Sequence, residues 1–314
     1  MQEPLDPVAP PKQRNSLAIA ALIVALVAIL IVVFGSSRQS ATGVAGQDHW
    51  TRVAKTGVLR VGYGGYPPYT IAAANPAGDA PPVSGFSVDL VNAIAARTTP
   101  ALKVEWHQFS FDTMKADLAA DRFDFIADPI FLTVPRATDF AFSAPYSYFG
   151  IAVAMIRADD NRFARFSDLD RPGITIALAE GWTSSEFARS NLSKPTFRSI
   201  PVTGDALAQM DEVLFGRADV ALNDVPTVLQ YVRAHPGKVK ALWLDSPPSS
   251  VAGGFVMRPE DQRLKQFLDA SIQVMQADGT IDRIDQKWKS LGFFPQPTLR
   301  AGAGIKVPAA PAVP

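Results

Sequence analysis

The sequence predicts an α/β protein of two similar lobes, preceded by one transmembrane helix. Three observations carry this. From about Trp50 to Arg300, strand patterns alternate with helical patterns, which argues for α/β units with largely parallel pairing. One unit occurs twice: Leu118-Ala-Ala-Asp-Arg122-Phe-Asp124-Phe-Ile-Ala-Asp128 and Leu214-Phe-Gly-Arg217-Ala-Asp219-Val-Ala-Leu-Asn223 each read as a helix end, Arg-x-Asp, three apolar strand residues and a polar group. Finally, Leu17 to Phe34 (LAIAALIVALVAILIVVF) runs eighteen residues without a charge, enough to span a bilayer as a helix.

Lys12 and Arg14 precede the apolar run and only Arg38 closely follows it, so the positive-inside rule orients it. The expectation is a cytoplasmic tail over 1–15, an uncleaved signal-anchor over 16–35 and a flexible Gly/Ser/Ala/Thr tether over 36–48. The first lobe then occupies 49–150, the second 151–248, the first resumes over 249–300, and 301–314 (AGAGIKVPAAPAVP) is a disordered tail. Strands are predicted at Val58–Tyr63, Leu102–Trp106, Asp124–Asp128, Ile151–Ile156, Ile174–Leu178, Val220–Leu222 and Gly254–Arg258. Helices are predicted at Asp89–Ala96, Thr113–Ala120, Ser185–Asn191, Ala206–Phe215, Val225–Arg233, Gln262–Ala277 and Ile281–Leu291.

Composition narrows the chemistry. With 314 residues, 47% of them hydrophobic, the chain has core enough for about two domains. Thirty basic and thirty acidic side chains cancel without long runs, which argues against a nucleic-acid partner. There is no cysteine, which excludes disulfides, thiolate metal sites, thiol nucleophiles and a lipid-modified cysteine. His49, His107 and His235 lie far apart without metal-ligand spacing, and nothing in the sequence calls for a cofactor or a metal.

Candidate binding residues sit where strands end, because polar groups just past a strand's carboxyl end line the crevice of an open α/β sheet. Arg136 follows the strand at Phe125 and carries a guanidinium able to hold a carboxylate bidentately. Its spacing fits equally a surface salt bridge to Asp139 or Asp121. Asp224 would supply the anion for an ammonium group, and it equally fits an N-cap for the helix opening at Val225-Pro226. Asp128 and Arg136 would form one wall of a cleft, and Asn223 and Asp224 the other. Tyr66, Tyr69, Phe86, Phe109, Phe131 and Trp182 fall at strand-exit loops and would box an apolar side chain.

Five segments together resemble one family: LRVGYGGYPPYTI (Leu59 to Ile71), GFSVDLVNAIA (Gly85 to Ala95), DFIADPIFLTVPRATDFAFSAPY (Asp124 to Tyr146), ADVALNDVPTVLQYV (Ala218 to Val232) and DGTIDRIDQKW (Asp278 to Trp288). They are similar to the family 3 extracellular solute-binding proteins, the polar amino-acid binders of ABC transporters. The resemblance implies the type II periplasmic-binding-protein fold, with two interlobe crossovers near Tyr148–Met155 and Asp245–Gly254. It implies a non-enzymatic protein on the periplasmic face of the inner membrane that binds an amino acid or related charged solute and delivers it to a permease. Carried over, Arg136 after Thr-x-x-Arg takes the carboxylate, Asp224 the ammonium, and Tyr66 covers the ligand side chain. The loop Gly181-Trp182-Thr183-Ser184 supplies a further donor, either Thr183 or Ser184, with Trp182 interrupting the usual pattern. Asp128 and Phe131 depart from the small residues usual before Thr-x-x-Arg and would add a carboxylate and a ring to the site. The same fold also hosts prephenate or arogenate dehydratases, which would need an acid such as Glu180 or Glu186, and ligand-sensing modules that act through a partner.

Overall fold

The computed structural model describes residues 48–74, 82–201 and 207–292. The expected cytoplasmic tail, signal-anchor and C-terminal tail, and all but Asp48 of the tether, lie outside the described residues. Among the described residues, no helix is long and apolar enough to cross a membrane.

Helix α1 (His49–Thr56) leads into β1 (Val58–Tyr63), followed by the short strands β2 (Ile71–Ala72) and β3 (Val83–Ser84). Then come α2 (Phe86–Ala96), β4 (Lys103–Gln108), α3 (Met114–Ala119), β5 (Phe125–Phe131), α4 (Val134–Asp139), β6 (Ala141–Phe142) and β7 (Ser147–Ile151). The second lobe is built from β8 (Val153–Arg157), β9 (Thr175–Ala179), α5 (Thr183–Asn191), β10 (Thr196–Ile200), α6 (Ala208–Leu214), β11 (Val220–Asn223), α7 (Val225–Ala234) and β12 (Val239–Leu242). The chain returns with β13 (Ser249–Met257), α8 (Gln262–Ala277) and α9 (Thr280–Ser290).

The first sheet has the order β4-β1-β5-β13-β6, with β7 also paired to β13; the second has the order β10-β9-β11-β8-β12. Pairing among β4, β1 and β5, and among β10, β9 and β11, is parallel, whereas β13 and β8 run antiparallel to their neighbours. Each sheet buries both faces. In the first lobe Phe125, Phe255, Leu90 and Leu268 pack on one side, and Phe123, Ile126 and Leu118 on the other. In the second, Ile176, Leu178 and Leu222 face one core and Met155, Met210 and Val228 the other. Burial on both faces explains why these strands read as apolar runs without alternation.

The repeated unit has the same wiring in both lobes. Arg122 pairs with Asp117 at 2.8 Å and Arg217 with Glu212 at 2.9 Å, each reaching five residues back to the preceding helix. Asp124 accepts from the amide of Arg60 on β1 at 2.7 Å, and Asp219 accepts from the amide of Thr175 on β9 at 2.8 Å. The Arg-x-Asp echo therefore clips a helix end and a neighbouring strand to each central strand.

Three expectations need correction. Strand β5 continues through Pro129 to Phe131 by bulging against β13: between Ile126 and Ile130 it carries three residues opposite the single Phe255. A proline without an amide is tolerated at such a break in the ladder. The predicted single strand Ile151–Ile156 is two strands, split by Ala152 at φ 59°. Both sheets bury this stretch, so hydropathy gave no sign of the break. Helix α1, strands β10 and β12, and helix α4 had no prediction at all; α4 and β12 are short, while the β10 sequence TFRSI is mostly exposed on an edge.

Behind β5, away from the strand exits, lies a buried ionic cluster. The Asp124 carboxylate pairs with Arg52 and with Arg60, the latter at 2.9 Å. His49 lies 2.9 Å from Asp261 and 3.0 Å from Asp121, and Arg258 bridges Asp121 at 2.6 Å and Asp261 at 3.1 Å. Burial acts to lower the His49 pKa, but the hydrogen bond and charge of Asp261, with Asp124 behind it, leave it raised above 6.5. A histidine whose pKa is raised by folding adds stability that is complete below the unfolded value and disappears as pH climbs through the folded value. Chemical denaturation from pH 5 to pH 9 should therefore show His49→Gln losing its deficit relative to the parent as pH rises; a deficit constant with pH would contradict the assignment.

Candidate functional site

Most candidate residues come from the segments leaving the carboxyl ends of four strands, β1 and β5 in the first lobe and β9 and β11 in the second, while Asp128 and Phe131 lie within β5 itself. The β1 loop, Gly64 to Thr70, is shaped by Asp128 on the adjacent β5. One Asp128 oxygen accepts from the Gly64 amide at 2.5 Å, and the other from the Thr70 hydroxyl, which itself accepts from the Tyr66 amide at 3.0 Å. The amides of Tyr69 and Thr70 close onto the Tyr66 carbonyl at 2.8 and 3.0 Å. From the other side, Phe86 and Ser87 at the start of α2 donate to Pro68 and Tyr69. Only glycine fits at position 85 between them: its φ is 141°, and an added Cβ would lie 2.1 Å from the Tyr69 carbonyl oxygen.

Held this way, Tyr66 stacks on Tyr69 with centroids 5.7 Å apart and planes 10° from parallel. Phe149 on β7 lies 5.1 Å from Tyr69 and 4.9 Å from Phe131. The Tyr66 hydroxyl extends to the second lobe and donates to Asp224 Oδ1 at 2.9 Å. Burial first, and then the Asp224 charge, push the Tyr66 pKa well above 10.

Asp224, 2% exposed, is the N-cap of α7: Thr227 donates its amide to Oδ1 at 2.9 Å and its hydroxyl to Oδ2 at 3.0 Å. Burial raises its pKa against these bonds. The capping reading is thus correct, and it leaves room for more. A carboxylate offers about four acceptor positions, of which Tyr66 and Thr227 use three. Beside it, Asn223 Oδ1 accepts the Asp224 amide at 2.8 Å, while its buried Nδ2 and the buried Ser185 hydroxyl have no hydrogen-bond partner among the described residues.

Arg136 lies in the short helix α4, which Thr133 caps by accepting its amide at 3.4 Å. It is half-buried, and Nη1 donates to the Phe131 carbonyl at 3.3 Å. The two carboxylates that would make it a surface salt bridge are taken: Asp139 pairs with Lys115 and Asp121 with Arg258, both at 2.6 Å. Desolvation lowers the Arg136 pKa, and the charge of Glu186 on the second lobe acts against that lowering.

Several candidates are placed otherwise than expected. Asp128 is 1% exposed, and its two oxygens accept from the Gly64 amide and the Thr70 hydroxyl of the β1 loop, so it holds that loop and Tyr66 from beneath. Ser184, 3% exposed, accepts the Ala152 amide at 3.1 Å. Thr183, the other hydroxyl expected as a donor, is half-buried at the first turn of α5, beside the half-buried Trp182 at its N-cap. Phe109 packs against Phe123 in the opposite core, away from the aromatic stack, whereas Phe131 belongs to the stack. Phe149 was missed. Strand alternation put it on the same face as Ser147, which bonds the Tyr69 hydroxyl at 2.7 Å, so the signal was present.

Residues 59–291 match the model of bacterial extracellular solute-binding proteins, family 3. The chain belongs to this family. The resemblance read from the five segments is borne out. A probable amino-acid ABC transporter-binding protein of Haemophilus influenzae is 30% identical over 241 residues, 76% of this chain and 86% of that protein. The cyclohexadienyl dehydratase of Pseudomonas aeruginosa is 26% identical over 250 residues, covering 79% and 89%. Among solved structures, an ancestral amino-acid-binding protein described as a precursor of cyclohexadienyl dehydratase aligns at a TM-score of 0.64 and 27% identity, over 77% of this chain and 99% of that one. The two-lobed α/β architecture of this solute-binding protein is thus shared with its structural relatives.

Asp128 gives a prediction for this solute-binding protein. Burial outweighs the hydrogen bonds from Thr70, Gly64 and Tyr66 and raises its pKa from 3.8 to about 7. The carboxyl therefore adds stability below about pH 4 that is lost as pH rises through about 7. Melting curves from pH 4 to pH 8 should show Asp128→Asn gaining on the parent as pH rises, and a gap that widens in the other direction would refute this environment for Asp128.

Proposed function

We propose that this protein is the periplasmic component of an ABC importer and captures an α-amino acid, or a closely related charged solute, between its lobes. The single observation that carries this reading is the Tyr66–Asp224 hydrogen bond, which brings a buried second-lobe carboxylate to the first lobe. There, Arg136 is a half-buried guanidinium without a carboxylate at ion-pair distance among the described residues. A zwitterion needs such a cation and anion fixed where water competes poorly.

In this reading Arg136 takes the ligand carboxylate in two parallel hydrogen bonds, with Thr183 donating from the second lobe. The ammonium goes to the remaining acceptor position of Asp224, whose other positions are fixed by Thr227 and Tyr66. Tyr66, Phe131 and Phe149 form the apolar wall for the side chain, and Trp182 closes it from the second lobe. Asp128 acts indirectly, by holding Tyr66. A ligand touching both lobes binds the closed arrangement better than the open one and so shifts the population towards it. The closed surface is what a membrane permease would recognise. Residues 17–34 would hold the protein at the periplasmic face of the inner membrane, raising its concentration near that permease. Support for transport comes from the relative named as an ABC transporter-binding protein.

The dehydratase relative raises an enzymatic reading, in which Glu180 or Glu186 would have to serve as the general acid. Both are exposed, so neither has the burial that raises a carboxyl pKa for that role.

A thermal-shift screen of amino acids, polyamines, small organic acids and prephenate tests the proposal. An amino acid at a hundredfold excess over its dissociation constant should stabilise the protein by about 2.7 kcal/mol. Arg136→Ala and Asp224→Asn should each weaken binding about a hundredfold, the scale of losing one partner of a buried charged pair. A screen in which prephenate is consumed, or in which Arg136→Ala binds an amino acid as the parent does, would overturn it.

A further inference from the structure

The first crossover between the lobes is a single residue. Ile151 pairs with Ser249 in the first sheet and Val153 with Asn223 in the second, so the amide of Ala152 belongs to neither ladder. Ala152 is fully buried and sits at φ 59°, a conformation that costs an L-residue with a Cβ about 1–2 kcal/mol. A buried amide outside a ladder needs another acceptor, and here that acceptor is the Ser184 hydroxyl at 3.1 Å. Ser184 is the second residue of α5 and directly follows the loop Gly181 to Thr183. The surroundings leave the crossover little freedom: an added Cβ at Gly150 would lie 2.6 Å from Pro247, in the return crossover, and 3.1 Å from Val225, next to Asp224.

We propose that Ser184 is a positioning residue that sets the interlobe angle: its hydroxyl fixes the Ala152 amide and thereby ties the ligand-facing start of α5 to the hinge. The proposal rests on the solute-binding reading for its functional meaning, but its mechanical content does not. Hinge motions are absorbed by a few residues at element ends, and Ala152 is one whose backbone conformation is held by one side chain from a binding loop. Movement of that loop on binding would therefore be transmitted to the crossover through one hydrogen bond.

The chain has no cysteine, so Asp112→Cys in the first lobe and Ser190→Cys in the second, both at exposed positions, give a uniquely labelled pair. Pulsed electron spin resonance then reads the interlobe distance distribution with and without amino acid. Ser184→Ala should shift or broaden that distribution before any solute is added and weaken binding about tenfold, the scale of a buried donor losing its acceptor. Ser184→Thr, which keeps the acceptor, should restore both. Thr183→Ala should weaken binding while leaving the distribution unchanged. If Ser184→Ala fails to fold, Ser184→Cys, of similar size but a poor acceptor, should give the Ala result. A Ser184→Ala or Ser184→Cys distribution superimposable on the parent would overturn the proposal, including where affinity falls. Because the distance is measured without ligand, the result stands apart from whether an amino acid is the solute.

Discussion

A carboxylate taken out of water must be met by donors, and that constraint places the working parts of this protein. Asp128 lies within the central strand β5 and Asp224 directly after the central strand β11, and both are buried, which would cost several kcal/mol if they were left unpaired. Asp128 is met by the Gly64 amide and the Thr70 hydroxyl, so the β1 loop has to fold over it, and Tyr66 is presented as a result. Asp224 is met by the first turn of α7 and by that same Tyr66. The bond between the lobes is thus the end of a chain of satisfied polar groups beginning at one strand.

The duplicated Arg-x-Asp clip explains why both lobes arrive at the same layout. In each, the aspartate pins the start of the central strand to its neighbour and the arginine pins it to the helix before. With the entrance of each strand fixed, three buried residues carry the chain into the sheet as far as a polar residue, Asp128 or Asn223. The lobes then differ at the exits. The first adds a proline, a bulge and the helix carrying Arg136, whereas the second goes directly into a capped helix.

What was legible in the sequence follows from this. Long elements with strong periodicity, such as Gln262–Ala277 and Val58–Tyr63, were read to the residue because their patterns are local. The family and the exit positions of Arg136 and Asp224 were legible because short motifs mark them. The break at Ala152 was not, since a left-handed residue other than glycine leaves no compositional trace and the apolar run continues on both sides. Asp128 was read as a departure from the usual pattern and Ser184 as a candidate donor, but the contacts they make depend on which backbone amide approaches them, Gly64 for one and Ala152 for the other. Those amides are 64 and 32 residues distant in the chain, beyond the reach of any local pattern. Phe149 was hidden differently, on a crossover strand that motif reasoning passed over for the loops.

The most direct test of the account is to vary the two charged ends of the ligand separately. Calorimetric titration of the amino acid that binds best would be compared with its methyl ester and its N-acetyl derivative, each lacking one of the charges assigned to Arg136 and Asp224. The account predicts that both derivatives lose about a hundredfold or more in affinity, and that Arg136→Ala no longer distinguishes the acid from the ester. An ester that binds the parent protein as tightly as the acid would mean that Arg136 does not hold the carboxylate, and the proposed site would have to be abandoned.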